Sequence, residues 1–361
     1  MVTQAREAII LVGGMGTRLR PLTVHRAKPL LPVAGVPCIE HQLANLAAAG
    51  ISHVVLATSY RAETFTEVLG DGSALGLRLD YVSEDEPLGT GGAIRNAAAL
   101  LESGPHDAVV VLNGDVLSGH DLSTQVAMHI QRRADLTLHL TVVDDARAFG
   151  CVPTDGSGRV LAFLEKMPQP VSNQVNAGCY VFRRAVIDAI PTGRVVSVER
   201  ETFPALLQAD AVVLGYVEQA YWLDLGTPAA LVAGSRDLVL GRMRSAALPG
   251  PVGEALVLPG ARVAADAVVE AGSCVGPGAS VGPGAQVLGS VLLEGAQVHA
   301  GAVLRDSIVG AGAVIGAGCV LKDAVIGDGA EVGADNELLG GIRVWCGARI
   351  GPAVVRFSSD R

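Results

Sequence analysis

A chain of 361 residues is long enough for two domains, or for one large domain with an appendage, and buries a sizeable core either way. Half of it is apolar, only 4% is aromatic and 45 residues are glycine, which predicts a core of Val, Ala, Leu and Ile and a segment where glycine has a repeated structural task. A net charge of −9 argues against a nucleic-acid groove. The six scattered cysteines form no CxxC pair and are expected reduced and buried, and no apolar window is long enough for a membrane span or reads as a signal peptide, so a cytoplasmic protein is expected.

The first strand is expected over 8–12, Ala8-Ile-Ile-Leu-Val12. It runs into Leu11-Val-Gly-Gly-Met-Gly-Thr-Arg-Leu-Arg-Pro-Leu-Thr23. Gly13, Gly14 and Gly16 would let the backbone turn and turn its N–H groups outward, with Thr17 and Arg18 at the rim. Such a loop suits a polyphosphate: backbone donors cradle oxygens and a guanidinium adds a planar, permanent charge. It is neither G-x-G-x-x-G nor a Walker loop, and an ordinary glycine turn is the competing reading. Ten residues on, Pro29 holds Lys28 in an extended segment, a second cation for a triphosphate or else a solvated lysine.

Helical patterns follow near 38–49, 62–69, 91–101, 121–132, 184–190 and 199–208. Strands are expected at 53–58, 79–82, 108–112, 136–143, 159–164, 178–182 and 212–218. This alternation predicts an α/β domain over 1–240, a Rossmann-like, mostly parallel sheet whose ligands sit beyond the carboxyl ends of its strands. Asn113-Gly-Asp115 ends the strand 108–112, so Asp115 would face the edge that carries the glycine loop. That position suits a Mg²⁺ ligand, and it is also plain turn chemistry. In Tyr221-Trp-Leu-Asp-Leu-Gly-Thr-Pro228, Asp224 lies among apolar residues and wants a partner; a metal shared with Asp115 would supply one. If a helix follows Pro228, Thr227 is its better cap. Phe163-Leu-Glu-Lys166 places Glu165 and Lys166 at a strand end, for sugar hydroxyls and a phosphate or as a surface pair. Asn176 and Gly150 are weaker candidates for polyol recognition.

Residues 241–256 read as a linker, and the pattern then changes. Over 257–361 an aliphatic residue recurs about every six positions, often before Gly and Gly-Ala, as in Val281-Gly-Pro-Gly-Ala and Ile315-Gly-Ala-Gly-Cys. A longer period of 17 runs through Val287, Leu304, Leu321 and Leu338. Three short strands with glycine turns make one triangular coil, so the tail is expected to be a left-handed parallel β-helix of hexapeptide repeats.

Taken in order, these phrases resemble the sugar-nucleotide pyrophosphorylases, which transfer a nucleotidyl group to a sugar 1-phosphate. The subfamily most similar is the mannose-1-phosphate guanylyltransferases with a C-terminal β-helix, whose base-binding loop Glu84-Asp-Glu-Pro-Leu-Gly-Thr-Gly-Gly-Ala93 resembles. The resemblance implies GTP and mannose 1-phosphate as substrates and Mg²⁺ as cofactor. It assigns the nucleotide to Leu11, Gly13, Gly14, Gly16, Thr17, Arg18 and Asn113, and the base to Leu88, Gly89 and Thr90. It assigns phosphates to Lys28 and Lys166, the sugar to Gly150, Glu165 and Asn176, and the metal to Asp115 and Asp224. Arg18, Lys28 and Asp115 would then be the catalytic set. The sugar phosphate is already an anion, so no general base is required, and charge neutralisation with in-line positioning is the task.

Three alternatives stay open. Thymidylyl- and uridylyltransferases for glucose 1-phosphate share the loop, the lysines and the aspartates. Glu84 or Glu86 would favour guanine by accepting from its N1–H and N2–H. A hexapeptide acyltransferase is disfavoured because the solenoid holds only His299 and no long loop. A non-catalytic paralogue would have lost Arg18, Lys28, Asp115 or Asp224. The apolar ends of a solenoid need caps or partners, so a homo-oligomer through the β-helix is expected.

Overall fold

The segment Glu7–Leu11, apolar after its first residue, forms strand β1, buried along almost its whole length. The computed structural model describes residues 4–59, 62–84, 86–164 and 168–356. Six more strands join β1 in one sheet: β2 (His53–Thr58), β3 (Arg78–Ser83), β4 (Ala108–Asn113), β5 (Leu136–Val142), β6 (Gln174–Arg183) and β7 (Val213–Val217). Their spatial order is β7-β5-β6-β4-β1-β2-β3. All neighbours run parallel except β6, which is antiparallel to both β4 and β5. The continuous apolar runs of β1, β2 and β4 follow from this placement, since central parallel strands are covered on both sides.

The intervening helices are α1 (Cys38–Ala48), α2 (Ala62–Leu69), α3 (Gly89–Ala97), α4 (Leu122–Gln131), α5 (Arg184–Asp188) and α6 (Phe203–Gln208). Ile94 from α3, Ile187 from α5 and Phe203 from α6 pack with Ile9, Val55, Val109, Leu138 and Phe182 of the sheet in one buried core.

Two expected elements differ. Residues 159–164 do not form a strand. Arg159 bridges Leu214 while Leu164 bridges Cys151, so the segment changes partner within six residues and never builds a ladder. The helix expected over 199–208 is a π turn, Val198–Thr202, followed by α6. Pro204 lies in the first turn of α6, where its missing N–H does not break the α-helical ladder.

Contacts divide the chain into two units, Met1–Gly14 with Gln42–Trp222, and Met15–His41 with Leu223–Arg361. The first holds the sheet. The second holds helix α7 (Pro228–Val239) and three parallel sheets of very short strands. One of these sheets stacks Ala255–Val257, Ser273–Val275, Val291–Leu292, Ile308–Val309, Val325–Ile326 and Arg343–Val344. Val287, Leu304, Leu321 and Leu338 are register partners on another sheet, and all are buried. The sequence period is therefore one coil of a parallel β-helix, consistent with the left-handed hexapeptide form. Coils approach so closely that a Cβ on Gly310 would lie 2.6 Å from the backbone of Gly327. The cysteines are free; five are buried and Cys346 is half-buried.

Within this second unit, Leu19, Leu22 and Leu31 share one buried cluster with Leu231 and Val232 of α7 and with Val291, Leu293, Ile308 and Val325 of the β-helix. Buried Ser235 of α7 accepts a hydrogen bond from Ala34 N at 3.0 Å. The segment that follows the glycine loop is thus packed on the solenoid wall.

Candidate active site

In the first unit the carboxyl ends of β1 and β4 lie side by side, with Leu11 in register with Asn113. Ser59 donates its hydroxyl to Gly13 O at 2.7 Å, and a Cβ on Gly13 would fall 2.7 Å from that hydroxyl oxygen. Gly14 faces open space and is exposed. Neither glycine has a left-handed backbone; among the three, only Gly16 does, with φ +59°. The turn thus rests on Gly16, and Gly13 serves a close approach.

Asn113, Gly114 and Asp115 follow β4 as expected. Gly114 donates its N–H to Leu11 O at 2.9 Å, and a Cβ there would sit 2.8 Å from that oxygen, so no larger residue fits. Asp115 comes out of this turn half-buried. Across β4, Gly178 brings β6 against Asn113, where a Cβ would lie 2.9 Å from Asn113 Nδ2. Asn176 turns inward on its own strand. Its Nδ2 donates to Tyr180 Oη at 2.9 Å and its Oδ1 accepts from Gly178 N at 3.0 Å. Burial pushes the Tyr180 phenol well above its ordinary pKa, so it stays neutral. Gly150 is half-buried beyond the turn Ala146–Ala148, next to Phe149, whose ring meets Trp222 edge-on at 5.6 Å. Glu165 and Lys166 lie outside the described residues.

The loop before α3 is held from within. Leu88 N donates to Glu84 Oε2 at 3.1 Å, while Glu84 Oε1 is buried without a hydrogen-bond partner among the described residues. Burial raises the pKa of this carboxyl. Gly89 has φ +71° and lies against the Val196 carbonyl. Thr90 donates its hydroxyl to Glu199 at 2.9 Å and accepts from Val198 N at 3.0 Å. Of the three expected base-lining residues, Thr90 therefore has its side chain committed to the protein.

In the second unit a single 3₁₀ turn, Thr17–Leu19, presents Thr17 and Arg18 to solvent above buried Leu19. Thr23 pins its start by donating to Gly16 O at 2.8 Å. Lys28 is buried, and its Nζ stands 3.9 Å from Asp224 Oδ1. Gly226 makes room for two side chains: a Cβ there would fall 2.9 Å from both Arg18 Cζ and Asp224 Oδ1. Arg18, Lys28 and Asp224 are thus brought together. Asp224 does not cap α7; Thr227 does, accepting from Ala230 N at 3.2 Å. Asp224 Oδ1 is buried and takes no hydrogen bond among the described residues. A carboxylate oxygen in that condition is costly, and a hard cation is a fitting partner for it.

Sequence reasoning passed over Ser59, Thr23, Gly114, Gly226 and Tyr180. Gly114 adjoins Asp115 and Gly226 lies two residues past Asp224, which is the available signal. Ser59 and Thr23 act through contacts that no motif announces.

Residues 7–239 match the nucleotidyl transferase family, and residues 251–355 match the GMPPB C-terminal domain. The chain is 54% identical to a mannose-1-phosphate guanylyltransferase of Mycobacterium tuberculosis over the full length of both proteins. It is 38% identical over 232 residues to mannose-1-phosphate guanylyltransferase 1 of Arabidopsis thaliana, covering 64% of each. Among solved structures it resembles HddC from Yersinia pseudotuberculosis complexed with GMP-PN, at 27% identity and TM-score 0.56, over 64% of this chain and 99% of that one. The glycine loop after β1, the Asn113–Asp115 turn and the β-helix tail therefore belong to one inheritance: the chain is a nucleotidyltransferase of the family of mannose-1-phosphate guanylyltransferases with a C-terminal β-helix.

Proposed function

We propose that this protein makes GDP-mannose and pyrophosphate from GTP and mannose 1-phosphate, with Mg²⁺ as cofactor. The observation that carries the reading is the gathering of exposed Arg18, buried Lys28 and the unsatisfied Asp224 oxygen around Gly226. Two cations and a hungry carboxylate suit a metal-bound polyphosphate better than any neutral ligand. The full-length identity to a mannose-1-phosphate guanylyltransferase supports the choice of base and sugar.

In this reading Arg18 and Lys28 hold the triphosphate and take up charge as pyrophosphate leaves. The sugar phosphate oxygen attacks the α-phosphorus unaided by a base. Gly13, Gly14 and Gly16 keep the backbone low enough for phosphate approach, while Leu88 and Gly89 meet the base and Asn113 the nucleoside. Gly150, Glu165, Lys166 and Asn176 belong to the sugar phosphate, Asn176 with its amide already oriented by Tyr180. Asp115 and Asp224 are the metal carboxylates; Mg²⁺ would supply charge neutralisation at the phosphates. Membership of a homo-oligomer through the β-helix and a cytoplasmic place complete the reading. No helix among the described residues is long and apolar enough to cross a membrane.

The test is pyrophosphate release by the purified protein with Mg²⁺, crossing GTP, dTTP, UTP and ATP with mannose 1-phosphate and glucose 1-phosphate. Turnover confined to GTP with mannose 1-phosphate is expected. Preference for dTTP or UTP with glucose 1-phosphate would keep the mechanism and overturn the substrates; no turnover with any pair would overturn the reading.

A further inference from the structure

The 3₁₀ turn that presents Arg18 is short, and a turn of that length cannot satisfy its own carbonyls. Backbone donors reach three of them: Leu19 N bonds Gly16 O, Arg20 N bonds Thr17 O, and Leu22 N bonds Leu19 O. The carbonyls of Arg18 and Arg20 are met from the other end of the chain. Arg343 Nη1 donates to Arg18 O at 2.8 Å and to Arg20 O at 2.7 Å. Beside it, Cys346 Sγ reaches Pro21 O at 3.5 Å.

Arg343 opens the strand Arg343–Val344, the last of its sheet in the β-helix, and that strand pairs with Val325–Ile326. Val325 lies in the same buried cluster as Leu19 and Leu22. The turn is therefore fixed twice by the solenoid: its apolar side chains sit on the wall, and its carbonyl end is capped by a guanidinium. A cation at the carboxyl end of a helical turn is the favourable polarity, and the two N–H groups on one guanidinium nitrogen, Nη1, serve both carbonyls from a planar, pre-organised group.

We infer that Arg343 is a positioning residue for the nucleotide site, setting the backbone from which Arg18 reaches the triphosphate, and that the β-helix is thereby a working part of the active centre. The inference rests on the reading of Arg18 as a phosphate ligand.

The experiment uses the full chain and compares wild type with Arg343→Ala and Arg343→Lys. Arg349→Ala is the control, because Arg349 pairs with Glu331 on the solenoid and not with the turn. Loss of a charged cap that makes two hydrogen bonds is expected to raise KM for the nucleoside triphosphate about ten-fold, with KM for the sugar phosphate unmoved. Arg343→Lys should recover part of this, and Arg349→Ala should behave as wild type. In an Arg18→Ala background the Arg343→Ala effect should largely vanish, as coupling through Arg18 requires. Trypsin reads the hold on the turn without activity: cleavage after Arg18 should quicken in Arg343→Ala and stay slow in Arg349→Ala. If Arg343→Ala proves unstable, the lysine variant carries the same comparison. An active wild type whose triphosphate KM is unchanged by both variants overturns the inference and leaves the function standing. An inactive wild type overturns the functional reading, and the inference with it, whatever trypsin shows.

Discussion

The Lys28 ammonium stands 3.9 Å from Oδ1 of Asp224, near enough to neutralise it but too far to hydrogen-bond it. Asp224 keeps that oxygen buried and unsatisfied among the described residues. Asp224→Asn keeps the shape and removes the charge. It is expected to lower turnover at fixed Mg²⁺ by roughly ten- to a hundred-fold and to shift the Mg²⁺ titration to higher concentration. Pyrophosphate release across a Mg²⁺ series measures both. A variant with the wild-type Mg²⁺ curve would show that the carboxylate is not a ligand.

Glu84 carries the second prediction. One carboxylate oxygen accepts from Leu88 N and the other is buried without a hydrogen-bond partner among the described residues. Guanine offers two adjacent donors, which the free oxygen is suited to meet. In Glu84→Gln the amide can still accept from Leu88 N, so the loop survives while one acceptor becomes a donor. The preference for GTP over dTTP and UTP should fall about ten-fold or more. Glu86 is exposed, and Glu86→Gln should leave the ratio alone. An unchanged ratio in Glu84→Gln places base selection elsewhere.

Much of this molecule was legible in the chain because its signals are local or periodic. The spacing of Val287, Leu304, Leu321 and Leu338 became register, since a solenoid stacks each coil on the last. The apolar runs of β1, β2 and β4 became the sheet centre for the same kind of reason. What stayed hidden depends on partners distant in sequence. The Thr90 hydroxyl goes to Glu199, and the Arg18 carbonyl goes to Arg343, 325 positions away. Residues 159–164 have strand composition, yet they divide their bonds among several partners, which composition does not record. Helix α7 is half-visible in the sequence: Thr227-Pro228 is a proper cap and first turn, and it competes there with a role for Asp224.

Inside the β-helix, Ser273, Ser290 and Ser307 form a ladder. Ser290 N donates to Ser273 Oγ, Ser307 N to Ser290 Oγ and Ala324 N to Ser307 Oγ, at 3.0–3.1 Å. Each step spans 17 residues, and the three side chains are fully buried. Ser290→Ala leaves the buried Ser307 N–H without its acceptor. The expected cost is about 1–3 kcal/mol in denaturant unfolding, with turnover at low temperature preserved. Ser307→Ala should cost a similar amount through Ala324. A loss below about 0.5 kcal/mol in both would mean the corner relaxes to find other partners.

A buried histidine layer sets the last prediction. His139 on β5 is fully buried, stacks on His120 at 4.0 Å, and has neither ring nitrogen hydrogen-bonded among the described residues. Burial drives its pKa down to about 2, with His120 adding to the effect. His129 is held down at about 4, by burial first, with Asp135 opposing and Arg183 assisting. In the unfolded chain both rings titrate near about 6.5. Below that pH the unfolded state binds more protons than the native state, so stability is full above about pH 6.5 and is lost as pH falls toward the folded values. By pH 5 the two rings together should remove on the order of 4 kcal/mol. His139→Phe keeps an aromatic ring over His120 and removes two unsatisfied nitrogens. It should raise stability at pH 7 by about 1 kcal/mol and cut the loss between pH 7 and pH 5 by roughly half. Urea unfolding at several pH values measures this. Parallel stability curves for wild type and variant would show that His139 does not carry the acid sensitivity.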